Sequence, residues 1–238
     1  MGVGQGRRWG FAGEVAVRVR PQQGGRPIEQ ATRSYGYGLS VSLIQIARAY
    51  TMFARDGEIV PLTFFKAQQN GTTSAPVKGT QVISVATARE MRHMLEMAAG
   101  PGGTAPKAQV MGYRVAGKTG TAHKLTGKSY TGNRYVGSFV GFAPVSNPRI
   151  VVAVMIDEPS NGIYYGGDVA APVFSAVVGG ALRTPHVEPA SPIKSLIIPA
   201  DSPQASPGGA RRGERFGVVG FAAGVAAGTV RADGQDVG

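Results

Sequence analysis

Tyr113-Arg114-Val115-Ala116-Gly117-Lys118-Thr119-Gly120-Thr121-Ala122 is the stretch on which the reading of this chain turns. Its alternation predicts a strand from Tyr113 to Ala122, and successive side chains in a strand point to opposite faces. Thr119 and Thr121 therefore share one face, with Gly120 between them. Gly120 leaves bare backbone, so a ligand can lie close. Lys118 adds a positive charge nearby. Such an edge suits an extended peptide that ends in a carboxylate. Backbone bonds take the peptide up as an added strand, while hydroxyls and an ammonium hold its terminus.

Working outward, residues 123–134 read as a polar loop and Tyr135 to Ala143 as a second strand. Pro144-Val145-Ser146-Asn147-Pro148 is a turn. Arg149 to Ile156 is a β-branched, nearly continuous apolar strand suited to a central place in a sheet. A Gly-rich loop leads to a helix over Asp168–Leu182, with Asp168 as its cap and Pro172 tolerated in the first turn. Upstream, a helix starts near Ser40, its predicted cap, and ends at Asp56-Gly57, where Gly57 suits a left-handed cap. Pro61 to Ala67 reads as a short strand and 69–80 as a loop. A second helix runs from about Ser84, its cap, to Ala99, and Gly100-Pro101-Gly102-Gly103 stops it. Residues 1–38 read as loops. Three strands on short connections make an antiparallel meander. With helices packed on it, the fold class is α+β.

Composition narrows the function. With 238 residues there is room for one substantial domain and a tail. The absence of cysteine removes disulfides and thiol catalysis. His93, His123 and His186 are scattered and lack metal-site spacing, so neither a metal nor a cofactor is expected. The net charge of +11 comes from dispersed Lys and Arg, without the aromatic-basic module of an RNA binder, so nucleic acid is not expected as a partner. No apolar run reaches the ~20 residues of a membrane helix, and no signal peptide is legible. From about Pro199 the chain turns to Gly, Ala, Ser, Pro and Arg, and it is expected to be a disordered, low-complexity tail over 199–238.

Lys118-Thr119-Gly120 is similar to the third signature of penicillin-binding proteins and serine β-lactamases, which follows Ser-x-x-Lys and Ser-x-Asn. The surroundings extend the likeness. Gly36-Tyr37-Gly38 stands before a helix that ends Phe53-Ala54-Arg55-Asp56-Gly57. Val140-Gly141-Phe142-Ala143-Pro144 and Asn147-Pro148-Arg149 follow the motif, and Tyr164-Tyr165-Gly166-Gly167 precedes Ala171-Pro172-Val173-Phe174. In order and spacing, residues 10–198 resemble the C-terminal part of the transpeptidase domain of class B, division-specific peptidoglycan D,D-transpeptidases of the penicillin-binding protein 3 type.

The resemblance implies that residues 1–198 belong to a penicillin-binding domain. Lys118, Thr119, Gly120 and Thr121 would line its cleft, with Lys118 and Thr121 as catalytic groups. The Thr119 and Thr121 hydroxyls would bind the carboxylate of a stem peptide or a β-lactam. The Thr121 N–H would be half of an oxyanion hole. Tyr164, Tyr165, Gly166 and Gly167 would form a loop beside the cleft, or else a connector whose tyrosines simply pack. The partners implied are peptidoglycan stem peptides, β-lactams and division-site proteins. The location implied is the periplasmic face of the inner membrane, through an anchor this chain does not carry.

Two features pull against full activity. The family's nucleophile is the serine of Ser-x-x-Lys at the start of a buried helix. Here Ser191-Pro192-Ile193-Lys194 lies in a Pro-rich stretch after Lys-Thr-Gly, and Thr104-Ala105-Pro106-Lys107 lies in a loop. Both read as chance matches, and no Ser-x-Asn precedes the strand. The chain alone is thus expected not to form an acyl-enzyme, and it is expected to be marginally stable, with one sheet face uncovered. The alternatives are a non-catalytic peptide-binding remnant and a P-loop NTPase. For the latter, Gly112 to Thr119 fits G-x-x-x-x-G-K-[ST], but a phosphate loop needs a helix directly after it. Gly120 and a polar loop follow instead.

Overall fold

The computed structural model describes residues 41–62, 78–124, 134–160 and 162–183, and the backbone of 215–222 and 229–230. The loops expected over 1–38 lie outside these residues, as do Ser40 and the Ser191–Lys194 match.

Helix α1 spans Leu43–Ala54 and is capped by Ser42, not Ser40. Gln45 decides this. Its N–H donates to Ser42 Oγ at 3.4 Å, and its Oε1 accepts from the Ser42 N–H at 2.9 Å. That reciprocal box needs an amide side chain three residues after the cap, which Ser42 has. Gly57 follows at φ +100°, and a Cβ there would lie 2.3 Å from both Gln81 Nε2 and the Ile83 carbonyl oxygen. Only glycine fits. The chain then enters β1, Glu58–Ile59, paired antiparallel with β2, Thr80–Gln81. The strand expected over Pro61–Ala67 lies mostly outside the described residues. Pro61 and Leu62 are outside any strand, and 63–67 are not among the described residues. Thr80 likewise leaves the expected loop. Helix α2, Val85–Ala99, is capped by Ser84 as read, with the Thr87 N–H donating to Ser84 Oγ at 3.1 Å. Arg92 of α2 ties the two helices together. It donates to the Phe53 carbonyl at 2.9 and 2.8 Å and to Asp56 at 2.7 Å. A cation thereby satisfies an orphan carbonyl at the negative end of α1.

The main sheet has the order β3-β4-β5-β6-β7, all antiparallel. Its strands are β3 Ala116–His123, β4 Tyr135–Ala143, β5 Ile150–Asp157, β6 Arg215–Ala222 and β7 Thr229–Val230. The meander is the one the sequence predicts, except that β3 starts at Ala116. Tyr113 is held instead in a turn, its N–H bonded to the Val110 carbonyl at 3.0 Å. Within the low-complexity stretch 199–238, residues 215–222 and 229–230 form the fourth and fifth strands, and the rest lies outside the described residues. A Gly-broken stretch reads as weak by composition, but β5 offers it a full ladder of backbone partners.

Both faces of β4 and β5 are covered. Phe139, Val152, Val154 and Ile156 point to one face and pack with Phe174, Val178 and Leu182 of α4, Ala171–Arg183. Val140, Phe142, Val151 and Ala153 point to the other and pack with Ala47 of α1 and Leu95 of α2. The uncovered face expected from the sequence is therefore absent over β4 and β5. The rings of Phe139 and Phe174 meet edge to face with centroids 4.8 Å apart. A short helix, α3, spans Gly166–Val169 before α4. Its N-cap is Tyr165, which corrects the assignment to Asp168. The Asp168 carboxylate is engaged elsewhere, with Lys107 Nζ at 2.7 Å.

Candidate functional site

Strand β3 is the outermost strand of the sheet, and among the described residues no strand pairs with its outer side. The Lys124 N–H donates to the Arg134 carbonyl at 2.8 Å, which fixes the phase of the ladder. Paired residues of an antiparallel ladder alternate between bonding across and pointing away. Lys118, Gly120 and Ala122 thus spend their backbone groups on β4. Gly117, Thr119 and Thr121 turn theirs outward.

The predicted residues come together here. Thr119 and Thr121 stand opposite Phe139 and Gly137, so both side chains are on the α4 face. Lys118 stands opposite Val140 on the other face. Its ammonium curls around the edge to the Thr119 carbonyl at 3.3 Å and Thr119 Oγ1 at 3.1 Å. Thr119 Oγ1 in turn donates to Thr104 Oγ1 at 3.0 Å. Thr121 Oγ1 accepts the Gly166 N–H at 3.1 Å, a bond that leaves the hydroxyl's own proton unspent.

Gly166 and Gly167 are buried because they lie on the strands themselves. A Cβ on Gly166 would be 2.2 Å from the Ser138 carbonyl oxygen and 2.5 Å from that of Gly120. One on Gly167 would be 2.1 Å from the Thr104 carbonyl oxygen. The loop expected beside the cleft is thus pressed against Gly120 and Thr119, and the Lys107–Asp168 pair holds its other side. Tyr164 stacks on Tyr135 with centroids 3.8 Å apart and planes 8° apart, and the His123 ring lies tilted to that of Tyr135 with centroids 4.1 Å apart. Tyr165 is 58% exposed at the end of this column. A hydrogen bond with Tyr164 pushes its phenol above the ordinary range.

At the same end of the sheet, Lys124 binds Asp157 at 2.9 Å and Glu158 at 2.6 Å, and Arg134 also binds Glu158. These cations, Arg134 first, lower the Glu158 carboxyl to about 2. Among the described residues no group of three His, Asp or Glu could hold a metal.

The phosphate-loop alternative fails on this geometry. Gly112 to Thr119 runs from a turn into β3, and the strand continues to His123 with no helix to face a phosphate.

A family profile described as "Penicillin binding protein transpeptidase domain" matches residues 1–179. The chain belongs to the penicillin-binding protein transpeptidase family. Among curated relatives, it is 46% identical over 195 residues to a "Probable peptidoglycan D,D-transpeptidase PenA" of Neisseria flavescens, a match covering 82% of this chain and 47% of the relative. It is 41% identical over 188 residues to "Peptidoglycan D,D-transpeptidase FtsI" of Escherichia coli K12, covering 79% and 31%. Among solved structures, the apo TP domain of Burkholderia pseudomallei penicillin-binding protein 3 superposes with a TM-score of 0.73 at 55% identity, covering 80% of this chain and 56% of that one. The chain thus spans from about a third to about half of the length of these curated relatives.

Within this member of the family, two contributions escape a linear reading. Thr104 sits 15 residues before Thr119 and meets it only through the fold. Lys107 and Asp168 are 61 residues apart. Ser138, whose Oγ donates to the Gly120 carbonyl at 3.4 Å, was within reach. The register of the hairpin sets it opposite Gly120 once both strands are drawn.

Proposed function

We propose that this chain forms one wall of the acyl-transfer cleft of a septal peptidoglycan D,D-transpeptidase, and that stem peptides and β-lactams bind along the outer edge of β3. One observation carries the reading: Thr119 and Thr121 turn their backbone groups to the unpaired side of β3, their hydroxyls share one face, and the Lys118 ammonium sits 3.1 Å from Thr119 Oγ1. An extended peptide adds to the bare edge through its backbone. Its terminal carboxylate takes the Thr121 O–H and the Lys118 charge. The scissile carbonyl then lies against the Thr121 N–H, a donor aimed at the oxygen that becomes negative during attack. Gly120 leaves room for Ser138 Oγ, which would lie 2.5 Å from a Cβ there, and Gly166 and Gly167 hold Thr121 and Thr119 in place. The nucleophile must come from a Ser-x-x-Lys on a helix that faces this wall. Lys118 has no such partner N-terminal to it in these 238 residues, so the chain alone binds without forming an acyl-enzyme. Division-site partners and a periplasmic, membrane-anchored location follow from the same reading. No helix of the described residues is long and apolar enough to cross a membrane.

The test combines amide NMR with labelling. A peptide ending in D-alanyl-D-alanine is titrated into the chain, and a fluorescent penicillin is incubated with it. Amide shifts centred on 117–123 and 164–168, lost in Thr121→Val, with no covalent label, are the expected result. Shifts elsewhere, or a covalent adduct, would overturn it.

A further inference from the structure

Helix α3 carries the donor that sets the Thr121 hydroxyl, yet it is a single turn of four residues, Gly166–Val169. So short a helix is not held by its own hydrogen bonds. The N–H groups of Asp168 and Val169 reach only the Tyr165 carbonyl, at 2.8 and 3.0 Å, and that of Ala170 reaches the Gly166 carbonyl at 3.0 Å. Among the described residues, two hydrogen bonds tie α3 to other elements. One runs from the Gly166 N–H to Thr121 Oγ1, the other from Lys107 Nζ to Asp168 Oδ1 at 2.7 Å.

The two ends of the second bond differ in how firmly they are seated. Lys107 belongs to a 3₁₀ turn, Pro106–Ala108, whose flanks are fastened on several sides. Ala105 and Ala108 are fully buried in the core shared with α4. The Ala105 N–H donates to the Ala98 carbonyl of α2 at 3.2 Å. Gln109 Nε2 donates to the Ala99 carbonyl at 2.7 Å, and the Gln109 carbonyl accepts from Ser175 Oγ of α4 at 2.6 Å. The backbone under Lys107 is therefore fixed, and Asp168 on α3 is the end that has to be held. The two side chains are 54% and 41% exposed, so the pair adds little to global stability. Its effect is to choose where α3 lies. A hydroxyl oxygen that accepts one hydrogen bond directs its own proton elsewhere, so the seat of α3 decides what the Thr121 proton can reach.

We propose that Lys107 and Asp168 are positioning residues: their ion pair latches α3 to the 106–108 turn, keeps the Gly166 N–H on Thr121 Oγ1, and so reserves the Thr121 proton for a ligand's carboxylate. The role toward the ligand rests on the cleft reading above.

Lys107→Met, and the charge exchange that combines Lys107→Asp with Asp168→Lys, test the latch on the full chain. In Lys107→Met the Gly166 amide should exchange about threefold faster or more. Affinity for a peptide ending in D-alanyl-D-alanine should fall about threefold, within the worth of one hydrogen bond. The melting temperature should not move. The charge exchange should restore both the exchange rate and the affinity, which direct contact between Lys107 and the peptide would not allow. Unchanged Gly166 exchange, or unchanged affinity in a chain that binds, would overturn the proposal. So would a loss of affinity that the charge exchange leaves uncorrected, or one matched by a fall in melting temperature. If the wild type bound no peptide while Gly166 exchange still answered to the pair, the cleft reading would fail and the latch on Thr121 would stand.

Discussion

Along β3 the sheet stops with its backbone bare, whereas along β5 it continues into β6. The residues at the two borders differ in kind. The β3 border reads Gly117-Lys118-Thr119-Gly120-Thr121, with Lys118 and Thr121 exposed. The β5 border reads Ile150-Val151-Val152-Ala153-Val154, all buried. A charge on an edge strand discourages pairing with another chain, so Lys118 guards the open border as well as marking it. An apolar border has no such guard and must be covered. In this sheet the open edge is polar and carries Gly117 and Gly120, whereas the covered edge is apolar and buried.

Gly166→Ala is the most severe way to disturb the open side. The new methyl would stand 2.2 Å from a backbone oxygen, not from a flexible side-chain tip, so α3 must lift off β3 and β4. Overpacking of this kind costs about 1–3 kcal/mol. It should appear as a lower urea midpoint together with a shifted Thr121 amide, because Thr121 Oγ1 loses its donor. Gly180→Ala is the control. It lies in α4 with nothing within 4 Å of the added Cβ, and it should gain about 0.5–1 kcal/mol through helix propensity. If both substitutions proved neutral, the glycine seat would not be what holds this side in shape.

Thr104→Val is a finer probe of the same edge. In the resting arrangement Thr119 gives its proton to Thr104 and accepts one from Lys118. A bound carboxylate reverses the first bond, so that Thr104 donates to Thr119 and Thr119 donates to the ligand. Without the Thr104 hydroxyl that relay is broken. Affinity for a D-alanyl-D-alanine peptide should fall by about threefold to tenfold, the net worth of one hydrogen bond. Thr104→Ser should restore it. The melting temperature should barely move, since Thr104 is exposed. Unchanged or tighter binding would remove Thr104 from the site.

How much of this was legible beforehand depends on distance along the chain. The meander follows from local patterning, and β4 matches its expected bounds of Tyr135 to Ala143. The shared face of Thr119 and Thr121 follows from strand geometry alone. Misplaced boundaries trace to local chemistry competing with composition: Gln45 selects Ser42 over Ser40, and Lys107 takes the Asp168 carboxylate that would have capped a helix. The pairing of 215–222 with β5 joins residues more than 50 positions apart, which no local window contains. Thr104 was hidden for the same reason at shorter range.

The mildest probe is acid, and it acts where β3, β4 and β5 end together. Glu158 is held by Arg134 and Lys124, which lower its carboxyl from 4.5 to about 2. A lowered folded-state value means that the ionised form favours the folded state. The contribution is complete above the unfolded value of about 4.5 and is lost as pH falls through about 2. Because the pair is solvent-accessible, the effect is small and screened by salt. In melting curves at low salt, wild type should exceed Glu158→Gln by a small margin at pH 6. That margin should narrow below pH 4.5 and vanish near pH 2. Protection of the odd-numbered β5 amides, held by backbone partners in β6, should outlast it. If the margin persisted at pH 2, or if those amides opened in step with it, the two borders would be energetically coupled and not independent of one another.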